Sequence, residues 1–433
     1  MSGKGSILRA YRYATGLLEP AAAGLLLWRQ RKGKEDAERL AERRGWASVR
    51  RPSKPVVWLH GASVGETVTL LPLIARLQKR GFAVLVTSGT VTSAKLLAAR
   101  LPAGVIHQYV PLDVPRYMRR FLDHWQPELC LICESEIWPN LLIEAKRRDI
   151  PVVMVNGRMS ERSFLRWYKL PKTSRFLLSC FEACLAQSHG DAERLAQLGA
   201  PRVSVAGNLK FDVPAPPADP DMLAILDGMT TGRPIWIAAS THPGEDELVL
   251  AAHLALKPHL PQLLTIIVPR HPQRGPDIEA LVQANGVAVS RRAAGGQPER
   301  DVALYIADTV NELGLFYRLS QIAFLGGSLV EGIGGHNPIE PAKLGSALLH
   351  GPYVHNNAEI FAAFDQDGGS REVADARALA EAVHRWLSDP ASARLAARSA
   401  AQTAHRLGGA INRTLQTIEP LLMRVALGQR DIS

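Results

Sequence analysis

Residues 56–77 read VVWLHGASVGETVTLLPLIARL, and this stretch decides the fold. Val56 to Leu59 is a short apolar run after Pro55, the composition of a parallel strand covered on both faces. His60 to Gly65 is a tight turn of small residues. From Glu66 onward, Val68, Leu71, Leu73, Ile74 and Leu77 recur at helical spacing. The segment is therefore strand, Gly-rich turn and helix, with Glu66 in the first helical turn. In an open α/β sheet that is the crevice rim where ligands bind. A carboxylate beside the positive end of a helix stays ionised and can serve as a general base. The same residues fit a capping box, Ser63-x-x-Glu66, in which the carboxylate only closes its own helix. Gly61-x-Ser63-x-Gly65 also matches a nucleophile elbow. Against that, no earlier strand and loop supplies the oxyanion donors an elbow needs.

Working outward, 433 residues suit two α/β domains rather than one core. Apolar content of 46% with 21% charged residues excludes a disordered chain. A net charge of +10 favours an anionic partner, whether nucleic acid, membrane surface or phosphorylated ligand. No RNA motif and no aromatic stacking platform is present, which removes nucleic acid from that set. Cys130-x-x-Cys133 lies inside an apolar run rather than at a helix start, so it is not a redox pair. Cys180 and Cys184 lack the turn of a metal knuckle. All four cysteines read as buried, reduced thiols, and no metal ligands are assigned. Walker A, GxGxxG and HExxH patterns are absent, against a P-loop hydrolase, a dinucleotide dehydrogenase and a zincin.

The N-terminal segment, residues 1–50, is largely apolar from Ile7 to Trp28, interrupted by Arg9, Arg12, Glu19 and Pro20, and then basic at Arg29, Arg31, Lys32 and Lys34. It reads as a membrane-associated helix with a basic flank, either spanning the bilayer or lying on it, with a core helix of the first domain as the competing reading. The basic residues would keep the rest of the chain on the cytoplasmic side of the inner membrane.

Residues 51–212 form the first α/β domain. Strands are predicted at 56–59, 83–87, 129–133, 152–156, 184–187 and 203–206, alternating with helical patterns, as in a doubly wound parallel sheet. Glu66, Glu134, Glu136, Asn156, Arg158, Asn208 and Lys210 all fall just past strand ends, so they converge on one crevice. Residues 213–234 carry five prolines and read as a linker.

The second domain, residues 235–433, has predicted strands at 235–239, 264–268, 303–306 and 322–325, and its last helix is a candidate to pack back on the first domain. Arg270 follows a strand end and suits a phosphate. Glu340 suits sugar hydroxyls, and Asn337 with Pro338 suits a helix start. Asp219-x-Asp221 and Asp365-x-Asp367 match DxD in form, but neither follows an apolar strand as a metal-nucleotide site would.

HGASVGE, ESEIWPN, NGRMS, GNLKFD, PRHP, DTVNELG and GGHNPIEP, in that order, resemble the Kdo (3-deoxy-D-manno-oct-2-ulosonic acid) transferases of lipopolysaccharide synthesis. The resemblance covers nearly the whole chain. It implies a GT-B architecture, two Rossmann-like domains facing across a cleft. It also implies inverting, metal-independent transfer of Kdo from CMP-Kdo to the lipid A precursor lipid IVA, with no cofactor and an anionic membrane surface as partner. Carried over to this sequence, Glu66 is the catalytic base, and Glu136 and Lys210 are transition-state residues. Pro269, Arg270, Val310, Asn311, Glu312, Asn337, Pro338, Ile339 and Glu340 hold CMP. Asn311 stands where the family usually has glycine. A UDP-sugar-dependent transferase or epimerase is the alternative within the same fold.

Overall fold

The computed structural model describes residues 6–427, and these divide into two compact units. Among the described residues, one comprises 6–213 with 408–427, the other Pro214–Leu407.

The first unit is built on seven strands: β1 Val56–His60, β2 Ala83–Ser88, β3 Ile106–Tyr109, β4 Leu129–Cys133, β5 Val152–Gly157, β6 Ala183–Ala186 and β7 Val203–Val205. Their order is β3-β2-β1-β4-β5-β6-β7, and every pairing is parallel. All seven strands therefore end on one edge of the sheet. The order reverses between β1 and β4, the switch point where such sheets open a crevice. Alternate residues of β1 feed two cores. Trp58 packs with Phe121, Trp125 and Leu141 on one face, while Val57 and Leu59 pack with Leu70, Ile74 and Ile418 on the other. Burial on both faces explains why VVWLH is continuously apolar.

The second unit repeats the plan with β8 Ile235–Thr241, β9 Leu264–Pro269, β10 Val289–Arg291, β11 Leu304–Ile306, β12 Ile322–Leu325, β13 Ala347–His350 and β14 Ser370–Glu372. The order is β10-β11-β9-β8-β12-β13-β14, again entirely parallel, with its switch point between β8 and β12. Its cores lie on the Trp236–Ala238 face and the Ile237–Ala239 face of β8.

Two readings change, those of the 213–234 stretch and of the N-terminal segment, and the expected packing of the last helix on the first domain is seen. The stretch 213–234 contains the helix Pro220–Thr230, started by Asp219, whose carboxylate accepts from the Asp221 and Met222 N–H groups. Its Leu226 is buried in the second unit, so the prolines begin a helix as well as breaking chain. The helix Ala410–Leu427 belongs to the first unit, where Ile411, Leu415 and Ile418 join the Val57 face. Asp212 fastens its start, accepting from the Gly409 and Ile411 N–H groups at 2.6 Å each. The N-terminal segment is two short helices, Ser6–Leu17 and Glu19–Arg31, divided where Pro20 starts the second. They are tied to the first unit by Tyr11 to Asp113 at 3.0 Å and Arg12 to Glu144 at 2.6 Å, with Leu8 and Leu26 buried. Among the described residues no helix is long and apolar enough to cross a membrane. All four cysteines are free thiols; Cys130, Cys133 and Cys184 are buried and Cys180 is partly exposed.

Candidate functional site

In the first unit, Ser63 is the N-cap of the helix Val64–Lys79, and its hydroxyl accepts from Glu66 N–H at 3.3 Å. Glu66 replies: Oε1 accepts from Ser63 Oγ at 2.7 Å and Oε2 from Ala62 N–H at 2.9 Å. The capping reading of Glu66 is thus realised, and the side chain is only 9% exposed. Capping and reactivity are compatible, because each carboxylate oxygen carries more than one lone pair. Ser63 has φ −112° and ψ 169°, ordinary extended backbone, not the strained turn a nucleophile elbow requires. Gly61 lets this turn close, since a Cβ there would stand 3.2 Å from Glu66 Cβ and Thr67 N.

Past β4 the chain turns sharply. Glu134 is left-handed at φ 57°, an uncommon state for a long side chain and one that gathers at ligand sites. Glu136 Oε2 accepts from Trp138 Nε1 at 2.5 Å. Burial pushes both carboxyl groups above the usual range. Lys210 and Arg158 pull Glu134 back down, and the Trp138 donor does so for Glu136. Glu66 raises both, so the three carboxylates share one electrostatic environment with Lys210. Lys210 itself sits on a braced loop. Asn156, also left-handed at φ 53°, accepts from Leu209 N–H at 2.9 Å through Oδ1. Gln187 links the Asn156 carbonyl at 3.0 Å to Asn208 at 3.1 Å, and Asn208 Oδ1 accepts from Lys210 N–H. Glu66, Glu134, Glu136, Arg158 and Lys210 therefore come together at one sheet edge. A cavity of about 950 Å³ lies at the opposite edge, beside Arg51, Glu128, Ile150 and Leu421, and contains none of them.

In the second unit, the C-terminal ends of β8, β9, β11 and β12 carry a second set. Arg270 is exposed directly after β9, and its N–H donates to the Thr241 carbonyl at 3.0 Å. Around it lie imidazoles that the motif reading did not single out. His242 Nε2 and His336 Nε2 share one proton at 2.8 Å with rings nearly parallel, and His271 meets His242 edge-on at 6.0 Å. Burial, then His271 and Arg270, lowers the His242 imidazole; burial and Arg270 lower His336 to about 4. Glu245 is fully buried in the first turn after β8. It accepts from His242 N–H at 3.0 Å, Gly327 N–H at 2.6 Å, and the N–H groups of Ser328 and Leu329 at 3.0 Å each. It locks the turn after β12 in place. The signal was present in sequence as Ser240–Glu245, a strand-to-helix turn ending in glutamate like the one ending at Glu66.

The remaining expected residues divide by role. Pro269, Pro338 and Ile339 are buried, so they can meet a ligand only through backbone. Val310 is 68% exposed and Asn311 takes φ 64°. Glu312 is held by Arg292 Nε at 2.6 Å and by Thr309, which keeps its carboxyl below the usual range. Asn337 Oδ1 accepts from Ile339 N–H at 3.1 Å, and its Nδ2 reaches Glu340 Oε1 at 3.5 Å. Neither DxD pair is organised for a metal. Asp219 caps a helix, Asp365 pairs with His350 and Ser370, and Asp367 binds Thr403 and Arg406. Chemically, the first unit offers carboxylates with one ammonium and one guanidinium, Lys210 and Arg158, and the second a guanidinium and imidazoles suited to an anion.

A family model described as 3-deoxy-D-manno-octulosonic-acid transferase (kdotransferase) matches residues 38–213. The 3-deoxy-D-manno-octulosonic acid transferase of Haemophilus influenzae is 35% identical over 397 residues, covering 89% of this chain and 92% of the relative. That of Bordetella pertussis is 34% identical over 411 residues, covering 92% and 96%. Among solved structures, a glycosyltransferase from Rickettsia africae aligns over 86% of this chain and 99% of its own, with TM-score 0.60 at 13% identity, a likeness of fold alone.

Proposed function

The chain belongs to the 3-deoxy-D-manno-octulosonic acid transferase family and is a glycosyltransferase, and we propose that it transfers Kdo from CMP-Kdo to lipid IVA, with inversion and without a metal. The observation that carries this reading is the grouping of Glu66, Glu136 and Lys210 at one sheet edge.

Glu66 takes the proton from the acceptor hydroxyl as its oxygen bonds to the anomeric carbon. The bond from that carbon to the CMP phosphate oxygen breaks, and CMP leaves from the opposite face. Such base assistance is worth on the order of a hundredfold to ten-thousandfold. The sugar carries its own carboxylate, and Lys210 pairs with that group or with the charge developing beside it. Glu136 stabilises the transition state from the same edge.

The donor's leaving group is a nucleoside monophosphate, so there is no diphosphate for a metal to bridge. Arg270 neutralises the phosphate instead, in a setting already rich in N–H donors from His242, His271 and His336. Pro269, Val310 to Glu312, and Asn337 to Glu340 shape the rest of the CMP seat. No cofactor is needed.

The acceptor is a membrane glycolipid. Leu17, Leu18, Leu25, Leu27 and Trp28 of the N-terminal helices are exposed, with Lys32 over the Trp28 ring at 4.3 Å. This apolar strip with its basic flank rests on the anionic face of the inner membrane, on the cytoplasmic side.

The test is incubation with CMP-Kdo and lipid IVA, followed by mass analysis. Wild type adds Kdo, and Glu66→Ala abolishes transfer while CMP binding persists. A calorimetric preference for UDP over CMP would overturn the donor assignment. A folded Glu66→Ala that loses CMP binding, or one that keeps turnover, would overturn the base.

A further inference from the structure

His60 is fully buried at the end of β1 and has no place in the chemistry just described. Its Nδ1 lies 2.9 Å from Thr87 Oγ1, the hydroxyl that also accepts from Trp58 Nε1 at 2.9 Å. An indole N–H can only donate. Thr87 therefore receives from Trp58, and its own hydrogen is best used on His60 Nδ1, which pairs the hydroxyl with both of its neighbours. That choice leaves the imidazole proton on Nε2, an atom without a hydrogen-bond partner. The His60 ring meets the Trp138 ring edge-on, with centroids 5.4 Å apart and planes at 69°. Such contacts are favourable for an imidazole N–H or an indole edge against a π face. Trp138 then donates its own N–H to Glu136 at 2.5 Å.

We propose that His60 is a positioning residue for the transferase: the chain Trp58–Thr87–His60–Trp138 runs from the core of the first unit to Glu136 and fixes the indole so that its N–H holds that carboxylate in place. The inference rests on the reading of Glu136 as a transition-state residue. Phenylalanine at position 60 would keep the ring but lose both the Thr87 hydrogen bond and the N–H. Glutamine would keep a polar link to Thr87. Buried and close to Arg43, His60 stays neutral through the working range, its imidazole pushed down to about 4. Glu136 feels two like charges, Glu66 and Glu134, the latter from the same turn past β4.

The experiment uses the full chain and the variants His60→Phe, His60→Gln, Trp138→Phe, the His60→Phe/Trp138→Phe double and Glu136→Gln. The fluorescence of Trp138, taken as wild type minus Trp138→Phe, is titrated from about pH 4 to 8, because a neighbouring carboxyl changes indole emission as it protonates. The pH profile of transfer is recorded alongside. Losing one hydrogen-bond donor should move the acid limb of transfer upward by about half to one pH unit in Trp138→Phe. His60→Phe should move both the limb and the fluorescence midpoint the same way. His60→Gln should recover part of the shift, and the double variant should go no further than Trp138→Phe alone. If His60→Phe lowers only the melting temperature, with midpoint and limb unmoved, the positioning role is overturned. Full additivity in the double variant overturns it too. Full activity in Glu136→Gln would instead overturn the role of Glu136, while the fluorescence titration still decides the coupling by itself.

Discussion

Ser63 and Glu66 are bonded to each other twice, the serine hydroxyl donating to Glu66 Oε1 at 2.7 Å and accepting from Glu66 N–H at 3.3 Å. The pair closes the helix Val64–Lys79 and fixes the direction of the carboxylate in one stroke. Removing the serine alone leaves Glu66 Oε2 still held by Ala62 N–H. Ser63→Ala should therefore cost about 1 kcal/mol of stability, the usual loss of an N-cap, and lower transfer by less than about tenfold, one neutral hydrogen bond's worth. Glu66→Ala should remove transfer altogether. Urea midpoints and initial rates on both variants decide the matter. If Ser63→Ala proves the more damaging to rate, serine is the reactive group and the base assignment fails.

This relationship also marks how far the sequence could be read. The strand, turn and helix around Glu66 were legible because burial on both faces demands an unbroken apolar run followed by a period of 3.6. The polar residues past β4, β5 and β7 were legible because a parallel sheet sends every such end to the same edge. The strands Ile106–Tyr109, Val289–Arg291 and Ser370–Glu372 were not, being short and carrying polar residues at the sheet margins; Ala347–His350 was missed too, a buried inner strand of only four residues between Gly345 and Gly351. The His242–His336 contact was illegible for another reason. The two residues are 94 positions apart, and only the adjacency of β8 and β12 brings them to 2.8 Å. Glu245 was visible as a residue type in the right place, but its four backbone donors come mostly from a loop some eighty positions downstream.

Glu245 gives a second prediction. Its two oxygens satisfy four N–H groups in a site with no solvent. Glutamine has one acceptor oxygen and would turn an NH₂ toward backbone donors. Glu245→Gln should destabilise the chain by roughly 3 kcal/mol, the cost of leaving buried donors unpaired. It should also weaken CMP binding, because the Gly327–Leu329 turn loses its anchor. Denaturant titration with and without CMP checks this. A variant that melts and binds like wild type would show that the turn holds itself.

Asn311 stands at φ 64°, where asparagine is tolerated and glycine is free. Asn311→Gly should leave CMP affinity within about twofold and change stability by under about 1 kcal/mol. Asn311→Val should cost about 1–3 kcal/mol, since a β-branched residue is strained there, and should weaken CMP several-fold. Calorimetry on the two variants separates backbone from side chain. If glycine weakens CMP as much as valine does, the asparagine side chain itself is the contact.

Membrane attachment through the N-terminal helices predicts binding to vesicles containing anionic lipid, weaker binding to neutral ones, and loss with rising salt. Leu17 and Leu18 are 81% and 57% exposed, so replacing both with serine removes apolar area without disturbing a core. Co-sedimentation of the double variant should fall sharply while its transfer to detergent-dispersed acceptor survives. Undiminished sedimentation would move the membrane face elsewhere.

Each unit also buries a neutral imidazole, His60 in the first and His253 in the second, both with no exposed surface. Burial lowers each from 6.5 to about 4. Between those values the unfolded chain binds a proton that the folded chain refuses, so stability must fall as pH falls through that window. The slope approaches about 1.4 kcal/mol per pH unit for each imidazole. Glu134, Glu136 and Asp246, whose carboxyl groups are raised by burial, oppose this in part, because the folded state takes up their protons first. The imidazoles act nearer neutrality, so the melting temperature should begin to drop below about pH 6.5 and continue toward pH 4. His253→Gln preserves a group able to bond Thr265, which now meets His253 Nδ1 at 2.8 Å, but cannot charge. It should flatten the pH dependence of the melting temperature of the second unit, with the first unit's acid sensitivity kept. Calorimetric scans at half-unit intervals from about pH 4 to 7.5 test this. An unchanged slope in His253→Gln would mean that its imidazole takes up a proton as readily in the fold as in the unfolded chain, and that burial does not govern it.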